Sequence, residues 1–411
     1  MPKADSDNNA AADLARRPLL NSPRNRGMPG VAHTQHALLR PRHVLPTDAL
    51  DFELPESSIA TRPASPRDHA RLMVLSRSAP DRLEHRRFHE LDTLLDPGDL
   101  LVRNAARVLP ARFEGTRVGT GGRVSGLFLA ERIPGTWHVM LKSNGRLRED
   151  DRIELPAGAE AVRLRLVERA EEGWIVRTTD EADAPVGDPA PVTLERCGAT
   201  PLPPYILAAR RTRDEDVTDA IDADWYQTVY ARDDAARSVA APTAGLHFTD
   251  GLLARLASRG VRAADVILDV GAGTFKPIQA ETVEAHDIHS ESFHVPQATL
   301  DALRGASRRV LVGTTTVRTL ESLPAALPDE PVSTSTNLLI APGHQFRWTD
   351  ALITNFHLPR SSLLALVAAF LEPGATSSGP AGLDRLLSAY RCAIDEGYRF
   401  YSYGDAMLIL P

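Results

Sequence analysis

The stretch GRVSGLFLAERIPGTWHVMLKSNGRLREDDRIEL, residues 122–155, carries the clearest structural pattern in the chain. Within each run apolar and polar residues alternate in steps of two, and Pro134-Gly135 and Asn144-Gly145 break the runs at short intervals. Such alternation is the mark of strands with one face buried, and Gly-containing breaks are the mark of hairpin turns. Outward from this stretch the same texture continues through LLVRNAARVLPARF, AVRLRLVERA and GWIVRTT, covering Asp99 to Glu195. Residues 98–196 therefore predict a small antiparallel β-barrel, with a sandwich as the alternative. On either side, apolar runs alternate with helical spacing. Strands are expected at Leu72 to Leu75, Val261 to Val270, Val310 to Gly313 and Leu338 to Ile340. Helices are expected over Phe88 to Leu95, Thr249 to Arg259, Gln297 to Ala306 and Leu363 to Leu371. Residues 48–97 and 197–411 thus predict an α/β body, with the barrel inserted into it as a separate domain.

With 411 residues the chain exceeds one ordinary core, and 43% hydrophobic with 25% charged residues is the balance of a water-soluble globular protein. The first 47 residues are polar, with six arginines scattered among Asn, Pro and Ala, and are expected to stay disordered. Asp5, Asp7 and Asp13 speak against an organellar targeting peptide. The apolar run Leu363 to Leu371 falls far short of the roughly 20 residues of a membrane span. Two distant cysteines, Cys197 and Cys392, exclude a disulfide framework and fit a reducing compartment. Net charge is −7, so RNA affinity would have to come from a local basic surface. Arg210, Arg211 and Arg213 form one cluster and Arg308 with Arg309 another, although solvated loop charges explain either one.

Five stretches beside predicted strands gather turn-forming and reactive residues: SVAAPTAGLHF from Ser238, LDVGAGTFKP from Leu268, HDIHSES from His286, VGTTTVRTLES from Val312 and TNFHLPRSS from Thr354. Loops at strand ends are where a rigid sheet aims chemistry, so this pattern reads as an enzyme. Leu268 to Thr274, with Asp269, Gly271, Gly273 and Thr274, has the look of a methyltransferase glycine loop. Pro277 and a missing third glycine argue against it, and a simple tight turn explains the same residues. His286, His289 and Glu291 fit a metal site, proton transfer or a structural role; we expect proton transfer and no metal. Thr314, Thr315 and Arg318 fit a carboxylate or phosphate at a helix start, and equally an N-capping run of threonines. Asn355 and His357 sit before a helix capped by Ser361-Ser362, suited to ligand hydrogen bonds or to a buried structural role. Tyr226, Gln227 and Tyr230, with the tyrosines between Tyr398 and Asp405, read either as core or as a stacking surface for a purine.

Together these strings resemble the S-adenosylmethionine:tRNA ribosyltransferase-isomerase family of queuosine biosynthesis. The likeness runs in family order from FELPESSIATRPASPRDHARLMVL at Phe52, through LDPGDLLVRNAARVLPARF, PLPPYI and YQTVY and the five loops, to YRFYSYGDAMLI. The resemblance implies a cytoplasmic, monomeric transferase of the same two-part architecture. It implies that S-adenosylmethionine serves as substrate with no cofactor, and that the partner is a tRNA carrying 7-aminomethyl-7-deazaguanine at the wobble position. The implied product is epoxyqueuosine in tRNA, with adenine and methionine released. Candidate proton-transfer residues are His247, Asp269, His286 and His289, with Glu291 orienting a histidine. Candidate binding residues are Arg107, Tyr226, Gln227, Tyr230, Thr243, Gly271, Gly273, Thr274, Thr314, Thr315, Arg318, Asn355 and His357. The chain departs from the family pattern at Asp269, where the family has His. Further departures are Ala106 before Arg107, Arg237 for Gly, Ile288 for Met and Thr316 for Ser. A diverged tRNA-binding paralog without catalysis is the alternative those departures suggest.

Overall fold

The computed structural model describes residues 44–158, 160–271, 277–372 and 381–411. In chain order the strands are β1 (Arg71–Ser76), β2 (Leu83–Arg87), β3 (Asp99–Asn104), β4 (Arg107–Val108), β5 (Arg112–Arg117), β6 (Arg123–Ile133), β7 (Thr136–Ser143), β8 (Arg152–Ala157) and β9 (Glu160–Arg169). They continue with β10 (Trp174–Thr179), β11 (Ala236–Ser238), β12 (Arg262–Leu268), β13 (Glu291–Val295), β14 (Arg308–Val312), β15 (Val332–Thr336), β16 (Ala351–Asn355) and β17 (Ala406–Leu410). The helices are α1 (Leu91–Leu94), α2 (Ala190–Cys197), α3 (Pro204–Thr212), α4 (Asp219–Trp225), α5 (Asp250–Ser258), α6 (Gln297–Arg304), α7 (Thr314–Glu321), α8 (Ser362–Leu371) and α9 (Ala381–Asp395).

The body is one mixed sheet in the order β15-β13-β12-β3-β14-β16-β17-β1-β2. Its centre, β12, β3, β14 and β16, is parallel. Leu101, Val310, Val312, Ala351 and Ile353 face α1 and α5, whereas Leu100, Val102, Leu311 and Leu352 face the layer built from α6 to α9. Burial on both faces is what central parallel strands require, and each buried Leu or Ile contributes about 1.5–3 kcal/mol. β5 to β10 close into a barrel in the order β10-β7-β6-β5-β8-β9. Leu164 and Leu166 point inward to join Trp137, Val139 and Trp174, while the neighbouring Arg163 and Arg165 bind carboxylates on the outside. Gly126 stands opposite Phe113 because any Cβ there would lie 2.1 Å from the Phe113 ring. The molecule is therefore an α/β body carrying an inserted antiparallel barrel.

Three details differ from the sequence reading. Asp99–Asn104 belongs not to the barrel but to the middle of the sheet, where LLV is an uninterrupted buried run, and the barrel begins at Arg112. Leu338 to Ile340 forms no strand. The sheet edge is the polar Val332–Thr336, whose β-branched residues pair with β13. Of the N-terminal stretch expected to be disordered, residues 1–43 lie outside the described residues, and the last four are anchored. Leu45 N–H donates to Glu284 and Thr47 N–H to the Glu281 carbonyl. Among the described residues no helix is long and apolar enough to cross a membrane.

Candidate active site

The parallel strands end at one edge of the sheet, and there the chain binds its own loops together. Asn104, at the end of β3, donates Nδ2–H to the Leu268 carbonyl and accepts from the Leu268 and Ala106 N–H groups. Ser238 Oγ donates to the Ala240 carbonyl and accepts from Val270 N–H. Gly313, the residue before α7, has φ of 87° and ψ of 152°, a region open to glycine and costly for other residues. That kink turns β14 sharply into α7 and sets Arg318 one turn into the helix.

A cavity of about 680 Å3 opens between this edge and the barrel. The body supplies Asp269, Gly271, His286, His289, Glu291 and Arg318, and the barrel side supplies Phe128, Glu131 and Pro189 among others. The Arg318 guanidinium, 5% exposed, donates Nη1–H to Glu291 Oε2 and Nε–H to the Leu338 carbonyl. Nη2 has no partner among the described residues. Glu291 Oε1 accepts the Gly271 N–H at 3.1 Å, so one carboxylate fixes both the arginine and the turn after β12. Asp269, half-buried on the cavity wall, donates its N–H to the Ser292 carbonyl. His289 is exposed, and its Nε2 lies 3.9 Å from Glu172 Oε1 at the tip of the β9–β10 hairpin. His286 is half-buried; burial, then the neighbouring His289, pushes its pKa below the usual histidine value. Residues 286–290 are irregular rather than helical, so the two histidines do not share a helix face. Among the described residues no group of three or more His, Cys, Asp or Glu side chains is placed to hold a metal ion.

The other predicted residues lie elsewhere. His247 is buried and stacked on Phe88, its ring nitrogens facing the Ala244 and Gly404 carbonyls, and burial lowers its pKa. His357 is buried with Nε2 against Thr354 Oγ1 at 2.8 Å, and burial pushes its pKa down to about 3. Asn355 joins two loops, accepting from Thr243 Oγ1 and donating to the Tyr401 carbonyl. Thr314 and Thr315 are buried at the start of α7, yet the threonine hydroxyls do not cap it. Thr316 and Thr319 donate backward to the Val312 and Thr315 carbonyls. Gln227 holds both the N–H and the carbonyl of Val108, Tyr226 packs edge-on to Tyr403, and Tyr230 lies under the Arg103 guanidinium. Arg107 pairs with Asp233 at the surface. The tyrosines of the C-terminal stretch are core, with Tyr398, Tyr401 and Tyr403 all buried. Glu291 holds an arginine and a turn rather than orienting a histidine of the described residues. Gly273 and Thr274 lie outside the described residues.

A family model described as queuosine biosynthesis protein matches residues 47–409. The chain belongs to that family. It is 46% identical over 372 residues to the S-adenosylmethionine:tRNA ribosyltransferase-isomerase of Gloeobacter violaceus, covering 89% of this chain and 96% of the relative. It is 47% identical over 366 residues to that of Rubrobacter xylanophilus, covering 89% and 97%. A crystal structure of S-adenosylmethionine tRNA ribosyltransferase from Thermotoga maritima is 33% identical, covers 88% of this chain and 100% of that one, and superposes with a TM-score of 0.46. Of the positions where the resemblance implies a departure, Asp269 and Ile288 line the cavity, whereas Ala106 is fully buried and does not. The barrel wall at Phe128 to Glu131 and Pro189 to Pro191 was not foreseen from sequence, since nothing local in those residues marks them as facing a loop more than 75 positions away.

Proposed function

We propose that this chain transfers and isomerises the ribosyl group of S-adenosylmethionine onto 7-aminomethyl-7-deazaguanine in tRNA, releasing adenine and methionine and leaving epoxyqueuosine. What carries the reading is the cavity between body and barrel, which brings Asp269, His286, His289 and Arg318 to one space in a chain of this family. Its volume suits a small-molecule substrate, such sites running from about 300 to 1,000 Å3. The relatives' name supplies the donor and the acceptor class.

In this reading Arg318 receives the methionine carboxylate, as a planar guanidinium with a nitrogen to spare can do. The sulfonium acidifies the adjoining 5′ carbon, so a base of ordinary strength removes its proton with no resident cofactor. His289 or Asp269 takes that proton, and His286, which burial keeps neutral near pH 7, relays one toward the departing adenine. The amine of the deazaguanine arm then attacks the opened ribosyl fragment, and methionine leaves as the epoxide closes. The protein acts as a cytoplasmic monomer.

Incubation with S-adenosylmethionine and tRNA carrying the aminomethyl-deazaguanine tests this directly, with adenine release as the readout. No release above background from folded protein rejects the reading. Adenosylhomocysteine with methylated RNA would mean a methyltransferase, and tight tRNA binding with no S-adenosylmethionine affinity a non-catalytic paralog.

A further inference from the structure

The basic clusters visible in the sequence are only partly neutralised in the fold, Arg211 and Arg213 staying exposed without a carboxylate partner among the described residues. Arg210 is buried in a two-pronged pair with Asp222, Arg308 binds Asp99, and Arg309 binds Asp350. The barrel follows the same habit along most of its outer surface, where Arg117 holds Asp151, Arg152 holds Asp183, Arg163 holds Glu154 and Arg165 holds Asp150. Arg123 and Arg177 stand singly without such a partner among the described residues, and at one end of the barrel three such arginines gather. A second recess, of about 930 Å3, is lined by Arg146, Arg148 and Arg169, with Leu147 and Trp174 beside them and Glu149 as its one acid. All three arginines are exposed, and none has a carboxylate partner among the described residues. Arg169 stacks over the Trp174 ring at 5.2 Å, which holds its guanidinium at the recess.

We propose that this recess is an RNA-docking surface that holds backbone phosphates of the substrate tRNA. The identity of the RNA rests on the ribosyl-transfer reading above. Unpaired guanidiniums in a polar concavity, on a protein whose net charge is −7, form a local attractive field for a polyanion. Position supports the same occupant. Arg169 and Trp174 face each other at the base of the β9–β10 turn, and Glu172 within that turn reaches His289 of the candidate active site. One hairpin therefore borders both the recess and the cavity, and RNA held on the recess presents a neighbouring nucleotide to the cavity.

The test is tRNA affinity by filter binding across a salt series, in the full chain, for wild type, the triple variant R146A/R148A/R169A and the double variant R146A/R148A. The double variant changes only exposed residues and leaves the Arg169–Trp174 stack intact. The triple variant is expected to bind about tenfold or more weakly, with its log-log salt slope reduced by about 2 to 3, since each phosphate that an arginine neutralises adds about 0.9 to the slope. The double variant should show about two-thirds of the slope change. Calorimetric affinity for S-adenosylmethionine should not move. Affinity and slope equal to wild type in both variants would overturn the proposal and leave an acidic protein as the recess's occupant, with the ribosyl-transfer reading intact. Weakened binding in the variants of a wild type that releases no adenine would uphold the docking surface and sink the ribosyl-transfer reading instead.

Discussion

Glu291 and Arg318 form a buried ion pair in which the same carboxylate also accepts the Gly271 N–H, tying β13, α7 and the turn after β12 into one unit. Both side chains are about 5% exposed, so neither charge has water to fall back on. Removing one partner of such a pair leaves an uncompensated buried charge, at about 3–5 kcal/mol. Glu291→Ala should therefore lower unfolding free energy by about 3 kcal/mol or more in a denaturant titration. A change under about 0.5 kcal/mol would mean that the pair does not hold the site together.

The turn at Gly313 should be equally intolerant. Its φ of 87° with ψ of 152° is costly for any side chain. Gly313→Ala is expected to destabilise by about 1–3 kcal/mol and to raise the KM for S-adenosylmethionine, because α7 carries Arg318. An unchanged KM would uncouple the kink from the pocket.

His289 is exposed, so its loss should be felt in turnover and not in folding. His289→Ala should cut adenine release more than tenfold while leaving the melting temperature within about 1 °C, as surface changes do. Full activity in this variant would remove His289 from proton transfer.

His357 should make the protein sensitive to acid. Its folded pKa, about 3, lies below the ordinary 6.5, so the unfolded chain binds more protons in between. The stability it contributes is whole above pH 6.5 and is lost as pH falls toward 3. Denaturant titrations between pH 6.5 and 5 should thus be shallower for His357→Gln, by up to about 1.4 kcal/mol per pH unit. Equal slopes in the two proteins would contradict the burial argument.

The sequence makes the two-part architecture readable because each part follows a simple rule. Period-two runs broken by Pro-Gly and Asn-Gly give the barrel, and long apolar strands separated by amphipathic helices give the body. Where the rule is ambiguous the reading slips. LLVRN satisfies both a barrel strand and a buried parallel strand, and only its pairing between β12 and β14 settles which. VSTST is too polar to stand out, yet it forms the sheet edge. His286, His289, Asp269 and Arg318, which the sequence marks as reactive residues crowding strand ends, line one cavity. His247, His357 and Asn355 are buried away from that cavity, because whether a histidine or amide is exposed depends on side chains packed from distant parts of the chain. Phe88, Tyr390 and Tyr401 decide it here. Nor does local sequence disclose that Glu291 would meet Arg318, 27 positions on, rather than a neighbouring histidine.

The most direct test of the central claim is to follow ribose-labelled S-adenosylmethionine into tRNA by wild type and by Arg318→Ala. Wild type should place label in RNA in step with adenine release, and Arg318→Ala should need about tenfold or more S-adenosylmethionine to do so, since its charge-assisted hydrogen bonds to the carboxylate are gone. Label transfer with an unchanged KM in folded Arg318→Ala, or RNA that gains the methyl group and not the ribose, would contradict the account.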